Sequence, residues 1–450
     1  MTTPAGSARG PARLRALVAA LVALGALAAS LGWLLAAPAL GFAGRWALAA
    51  GLAIWAWRRR SLTSWILVSM VVGVSVGYDW PETGAAMRVL SQIFIRMIKT
   101  IIAPLLFATL VVGIAGHPNL RHVGRMGVKA LVYFEVVTTL ALFIGLAAIN
   151  LSQAGVGIQP PADLESQGQR PPPQSLGQVI LHAFPENVAK SVAEGQVLQI
   201  VVFSLLFAVA LSLLPDDKRR PMLSFAESLA ATMFKFTNLV MLFAPIGVGA
   251  AIAYTVGHMG IGILVNLAKV LATFYLALLA FLLFVLLPVA LLARVPLRAF
   301  ARAIAEPVGI AFATTSSEAA LPLAMERMEQ FGVPRQTVAF VMPTGYSFNL
   351  DGSTLYLALA SVFVAQAAGI PLTLTQQLAI VLTLMVTSKG VAGVPRAVLV
   401  ILMGTASSFG LPEWPILVLL GIDELMDMAR TSVNVIGNCL ATVVIARWVG

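Results

Sequence analysis

Six polar residues recur along one apolar stretch: Asp423, Asp427, Arg430, Thr431, Asn434 and Asn438, within GIDELMDMARTSVNVIGN. At about 3.6 residues per turn, their spacing confines them to an arc of roughly 100° on a helix. Arg430 offers a planar five-donor fork matched to a carboxylate. Asp427, three residues earlier on the same face, suits an ammonium. Asp423 and the two asparagines add hard oxygens of the kind a small cation takes. This chemistry is recognition of a small zwitterion and an ion rather than bond making. The sequence shows no nucleophile–base pair, metal-ligand cluster or Gly-rich phosphate loop, so no catalytic residue and no cofactor is assigned. A structural Asp–Arg pair would explain two of the six residues but not the other four.

The elements that carry this stripe lie in an apolar chain. Hydrophobic residues make up 59% and charged residues 11%, and the mean hydropathy is +0.92, far from soluble averages. Ionisable side chains at membrane depth are expensive and mark substrate or ion paths by default. The only cysteine, Cys439, excludes an intrachain disulfide. His117, His122, His182 and His258 are scattered, without ligand spacing.

The net charge of +10 raises nucleic acid as a partner, but the distribution of the basic residues excludes it. They gather in short segments between apolar runs: Arg58 to Arg60, Arg121 to Lys129, Lys218 to Arg220, Arg294 to Arg302, and Arg327 with Arg335. The alternate connections carry only Arg88 and Arg170. That is the positive-inside pattern, and it places the basic loops and both termini in the cytoplasm.

Spans are expected near 16–37, 40–57, 62–78, 91–115, 127–149, 180–214, 221–255 and 261–293. The Pro-rich connection over 150–178 is read as extracytoplasmic and flexible. Residues 1–61 form an added hairpin of two spans with basic residues at both ends. Ala26-Leu27-Ala28 resembles a signal cleavage site, but cutting there would strand one odd span, so the hairpin is read as uncut.

Two apolar runs are interrupted in corresponding ways: Thr314-Thr315-Ser316-Ser317-Glu318-Ala319-Ala320-Leu321-Pro322, and Thr387-Ser388-Lys389-Gly390-Val391-Ala392-Gly393-Val394-Pro395. Both read as re-entrant helical hairpins, about 297–330 and 375–411, since irregular backbone at membrane depth survives only inside protein or along a watery cavity. Each precedes a helix with a polar interruption. After the first comes helix 7, about 336–364, with an unwound Asn349-Leu350-Asp351-Gly352-Ser353. After the second comes helix 8, about 412–448, with the stripe. Paired broken elements point to an inverted-repeat architecture with a site near the midplane. Hydroxyls and backbone N–H groups at the tips suit a carboxylate, and Asn349, Asp351 and Asp423 are the expected sodium ligands if a metal binds.

The motifs SSEAALP, PTGYSFNLDGSTLY, TSKGVAGVP and GIDELMDMARTSVNVIGN resemble the dicarboxylate/amino acid:cation symporter family, from about residue 62 onward, with most likeness to bacterial proton/glutamate-aspartate symporters. The resemblance implies an all-α integral membrane protein of the glutamate-transporter-homologue fold. It has eight membrane helices and two re-entrant hairpins, here with the extra N-terminal hairpin, and works as a homotrimeric elevator in the bacterial inner membrane, in contact with lipid. Residues 62–260 would be mainly scaffold, with a transport-domain helix within 91–149, and 261–450 mainly transport core. By motif position Arg430 would bind the side-chain carboxylate of an acidic amino acid and Asp427 its amino group. Thr431, Asn434, Ser316, Ser317, Ser353, Gly393 and Val394 would complete the substrate site. Asn349, Asp351, Asp423, Asn438, Ser347, Ser388 and Glu318 would serve cation coupling.

Dicarboxylate carriers of the family lack the amino-binding Asp, so Asp427 favours glutamate or aspartate over a four-carbon dicarboxylate, which stays the alternative. The coupling ion is H+ or Na+, and the departures from the family pattern favour the proton. Asn438 stands where sodium-coupled members commonly have Asp, Phe134 and Val137 where they often have oxygen-bearing side chains, and Leu357 where the animal transporters have a titratable Glu. Glu318 and Glu135 are carboxyls that, if buried, would bind and release a proton near neutrality. Arg396 replaces a usual glycine.

Overall fold

The computed structural model describes residues 9–116, 124–158, 181, 183–390 and 397–449. Within them every regular element is helical. Among the described residues seven helices are long and apolar enough to cross a membrane, or eight if Asp216–Met241 and Ala244–Met259 count as one span. The described residues fall into two compact units.

The first unit comprises residues up to 95 together with 241–264 and 417–424. Its helices Arg9–Leu34 and Pro38–Arg59 pack backbone to backbone. A Cβ at Gly32 would collide with the backbone of Gly41, and one at Gly44 with that of Ala29. Ser61 caps the next helix, Leu62–Asp79, by accepting from Ser64 N at 3.2 Å. That helix packs on Ala244–Met259, where Gly73 meets the carbonyl of Gly249. The N-terminal hairpin is pinned by an ion pair between Arg45 and Asp79. Trp46 Nε1 donates to the same carboxylate at 3.0 Å, and the Arg45 guanidinium lies 4.5 Å from the Tyr78 ring centroid.

The second unit comprises 96–240, 265–416 and 425–450. Here Gly124–Ser152 runs along Asp351–Ala367, with Gly145 against the carbonyl of Leu355. Leu297–Thr314 packs against Ser317–Gln330, and Leu374–Thr387 against Ala397–Ser408. Thr373 and Gln376 close a capping box at the start of Leu374–Thr387. Asp351–Ala367 is buried at every residue except Gln366, so its polar side chains face protein.

Two expected spans are broken. The run expected over 221–255 is two helices, Asp216–Met241 and Ala244–Met259. Pro245 sits in the first turn of the second, where its missing N–H is tolerated. Within the run expected over 180–214, the described residues hold only Val188–Glu194 and the 16-residue Val197–Ser212. Gly195, at φ 68°, ends the first of these as a left-handed cap. A helix of 16 residues is shorter than the roughly 20 needed to cross a bilayer. Most of the Pro-rich connection lies outside the described residues, as do His117, His122 and His182.

Candidate functional site

The helix Asp423–Val449 carries all six residues of the stripe, and all six are buried. Asp423, Arg430 and Asn438 are 0% exposed, Asn434 3%, Asp427 4% and Thr431 5%. Removing these groups from water costs several kcal/mol per ion unless each finds partners. Asp427 Oδ1 accepts from Arg430 Nε at 2.8 Å and from Thr431 Oγ1 at 3.1 Å. The Arg430 guanidinium also lies 4.5 Å from the Tyr356 ring centroid, a cation–π contact that a desolvated site strengthens. The carboxylate, guanidinium and hydroxyl therefore form one connected group. Asp423 opens the helix and belongs to the first unit.

One turn further on, Asn434 ties the stripe to the start of Asp351–Ala367. Its Oδ1 accepts from the backbone N–H of Gly352 at 2.8 Å and of Ser353 at 3.2 Å, and its Nδ2 donates to Ser353 Oγ at 2.9 Å. The donors at the start of a helix have no partner within it, and here an asparagine from another helix satisfies two of them. Contact this close depends on glycine: a Cβ at Gly352 would collide with the carbonyl of Arg430.

The backbone leaves helical form only at Asn349 and Leu350, between Arg335–Phe348 and Asp351–Ala367. The expected five-residue unwound segment is thus two residues long. Gly352 N–H and Ser353 N–H have Asn434 as an acceptor, so the next helix can begin at once. Asn349 Nδ2 lies 3.3 Å from Asp351 Oδ2 and 3.4 Å from Asn438 Oδ1. Gly345 and Gly437 line this cluster, and a Cβ on either would strike Asn438 Oδ1 or Asp351 Oδ2 respectively. Asn349 Oδ1 and Asp351 Oδ1 are buried without a hydrogen-bond partner among the described residues. They are the oxygens best suited to a small hard cation. No group of three His, Cys, Asp or Glu with metal-binding geometry occurs among the described residues.

At the first interruption, Thr315 takes a left-handed conformation at φ 51° and Ser316 caps Ser317–Gln330, its Oγ accepting from Ala319 N at 3.2 Å. Ser317 is buried but Glu318 is exposed. That helix buries Ser317, Ala320, Ala324 and Met328, a face of helical period that leaves Glu318 outside it. Glu135, the other carboxyl considered for proton coupling, keeps 46% of its side chain exposed and pairs with Lys389 at 3.2 Å. At the second interruption Ser388 is buried, with its Oγ unpartnered among the described residues. Gly393, Val394 and Arg396 lie outside the described residues. Ser347 is half-buried. Ser316, Ser317, Ser347 and Ser388 make no hydrogen bond to the stripe among the described residues.

Sequence reasoning missed Tyr356 and Lys389. Tyr356 follows Asp351-Gly352-Ser353 by one helical turn, but nothing in its spacing indicates an arginine beneath it. Lys389 carried a signal, since it is a lone cation inside an apolar run, where a charge demands partners.

Helices long and apolar enough to cross a membrane, one of them carrying a buried and connected carboxylate, guanidinium and hydroxyl, fit a membrane transporter of small charged solutes. The chain belongs to the sodium:dicarboxylate symporter family, whose model matches residues 62–448. It is 42% identical over 398 residues to a C4-dicarboxylate transport protein of Leptothrix cholodnii, covering 87% of this chain and 89% of that one. It is 41% identical over 406 residues to the proton/glutamate-aspartate symporter of Escherichia coli, covering 86% and 93%. A proton/sodium-glutamate symport protein of Bacillus caldotenax is 39% identical over 406 residues, covering 87% and 96%.

Proposed function

We propose that the chain imports acidic amino acids, L-glutamate or L-aspartate, by symport with H+ or Na+. The observation that carries this reading is Asp427, buried and joined to Arg430 and Thr431 on one helix face. Arg430 takes the substrate's side-chain carboxylate and Asp427 its ammonium. The α-carboxylate meets Ser316, Ser317 and the backbone near Gly393 and Val394, while Thr431, Asn434 and Ser353 line the remainder. Asn349, Asp351, Asp423 and Asn438, with Ser347, Ser388 and Glu318, serve the coupling ion.

In this reading residues 297–330 and 375–411 are re-entrant hairpins. They move with helices 7 and 8 as a transport core against a scaffold drawn mainly from 62–260. The protein works as a homotrimeric elevator in the inner membrane with both termini cytoplasmic.

The second reading is a four-carbon dicarboxylate symporter, favoured by the relative of that name in Leptothrix cholodnii. There Asp427 is a fixed counter-charge for Arg430 and touches no substrate. Uptake of labelled L-glutamate and succinate into proteoliposomes under an imposed proton or sodium gradient separates the two. Glutamate accumulation supports the first; succinate accumulation without glutamate uptake overturns it.

A further inference from the structure

The Lys389 ammonium stands in a set of oxygens. Nζ donates to Thr138 Oγ1 at 2.6 Å, lies 3.4 Å from the carbonyl of Phe348 and pairs with Glu135 Oε2 at 3.2 Å. A hydroxyl, a backbone carbonyl from the residue before a helix break, and a carboxylate form the kind of set that binds a small hard cation. Phe348 immediately precedes Asn349, and Lys389 immediately follows Ser388, so this ammonium enters the region assigned to cation coupling. Its side chain is only 13% exposed, too deep for an ordinary surface lysine. Thr138 is itself buried, at 1% exposed, and its hydroxyl has Lys389 as donor.

We infer that Lys389 is a tethered cation that supplies, from the protein itself, the positive charge a sodium ion would bring to the locus of Thr138, Phe348 and Glu135. A fixed ammonium and a sodium ion cannot share these oxygens. Two like charges within a few ångströms repel strongly in a desolvated site. Through Thr138 and Glu135 the Lys389 ammonium also ties the turn Ser388–Gly390 to Gly124–Ser152. The inference rests on the symporter reading and sharpens it, because it removes one sodium from the coupling and leaves transport to run without it.

The test uses the purified full-length protein in detergent or lipid nanodiscs, with no substrate, so it does not depend on which solute is carried. Thermal unfolding is followed in sodium chloride and in equimolar choline chloride, for the native chain, Lys389→Ala and Lys389→Gln. The expected result is no sodium-specific shift in the native chain and a sodium-specific rise of roughly 2 °C or more in at least one variant. Glutamate affinity measured in parallel should gain a sodium dependence of about tenfold in that variant. Two results overturn the inference: a sodium-specific shift in the native chain as large as in the variants, or variants that fold yet remain indifferent to sodium. Lys389→Gln keeps a donor of similar reach should the alanine variant fail to fold. Failure to bind glutamate with the sodium shifts as expected would instead count against the acidic amino acid assignment alone.

Discussion

Asp427 accepts two hydrogen bonds from its own helix, one from a guanidinium and one from a hydroxyl. A carboxylate held this way is preorganised: its charge stays fixed and its orientation costs nothing when an ammonium arrives. Asp427→Asn keeps the shape and removes the charge, so glutamate affinity should fall by roughly 100-fold, the scale of a charged hydrogen bond lost in a buried site. Succinate affinity should change by no more than a few-fold. Competition of both solutes against a labelled ligand reads the two effects together, and equal losses for both would remove the amino-binding role. Asn434 is a different kind of residue, since it satisfies two backbone donors and a serine in another helix. Asn434→Ala strands them in a dry interior and should cost about 2–3 kcal/mol of stability, seen as a lower midpoint of thermal unfolding.

At the scale of elements, what could be read in the sequence and what could not have separate causes. The polar stripe was legible because the helical period converts spacing into a face, and all six residues are indeed buried on one helix. The interruptions at Thr315-Ser316 and Asn349-Leu350 were legible through their hydroxyl, amide and glycine content. Partner choice was not legible. Asn434 bonds to Gly352 and Ser353 across separations of 82 and 81 residues, and no local pattern encodes that. Whether Glu318 is buried was not legible either: the face its helix buries runs through Ser317 and Ala320 and leaves Glu318 exposed. Glycines mark where the elements come closest. Gly437→Ala would drive a methyl into Asp351 Oδ2, and overpacking of this kind costs about 1–3 kcal/mol. A chemical denaturation midpoint no lower than that of the native chain would contradict the packing. Ser316→Ala removes a single cap and should cost only ~1 kcal/mol, with substrate affinity as a second readout of whether Ser316 also meets the solute.

For the whole molecule, the N-terminal hairpin lies outside the family match, which begins at residue 62. It is nonetheless anchored by the Arg45–Asp79 pair, the Trp46 bond and the close helix packing. Arg45→Ala leaves the largely buried Asp79 carboxylate with Trp46 as its remaining partner from the hairpin, and should loosen the hairpin without touching the stripe. The expected outcome is faster proteolytic release of the segment preceding residue 62, with uptake kept within about twofold, since sites without shared partners behave independently. A loss of uptake matching that of Arg430→Ala would make the hairpin part of the transport path.

The bonds between Asn434 and the Gly352-Ser353 turn also bear on the order of synthesis. A growing chain makes Asp351 and the two unsatisfied backbone donors some eighty residues before the asparagine that will satisfy them. Throughout that interval the segment carries a carboxylate and bare N–H groups that hydrocarbon does not tolerate. The polar site is accordingly completed late in synthesis, and a chain halted before Asn434 lacks the acceptor for both donors.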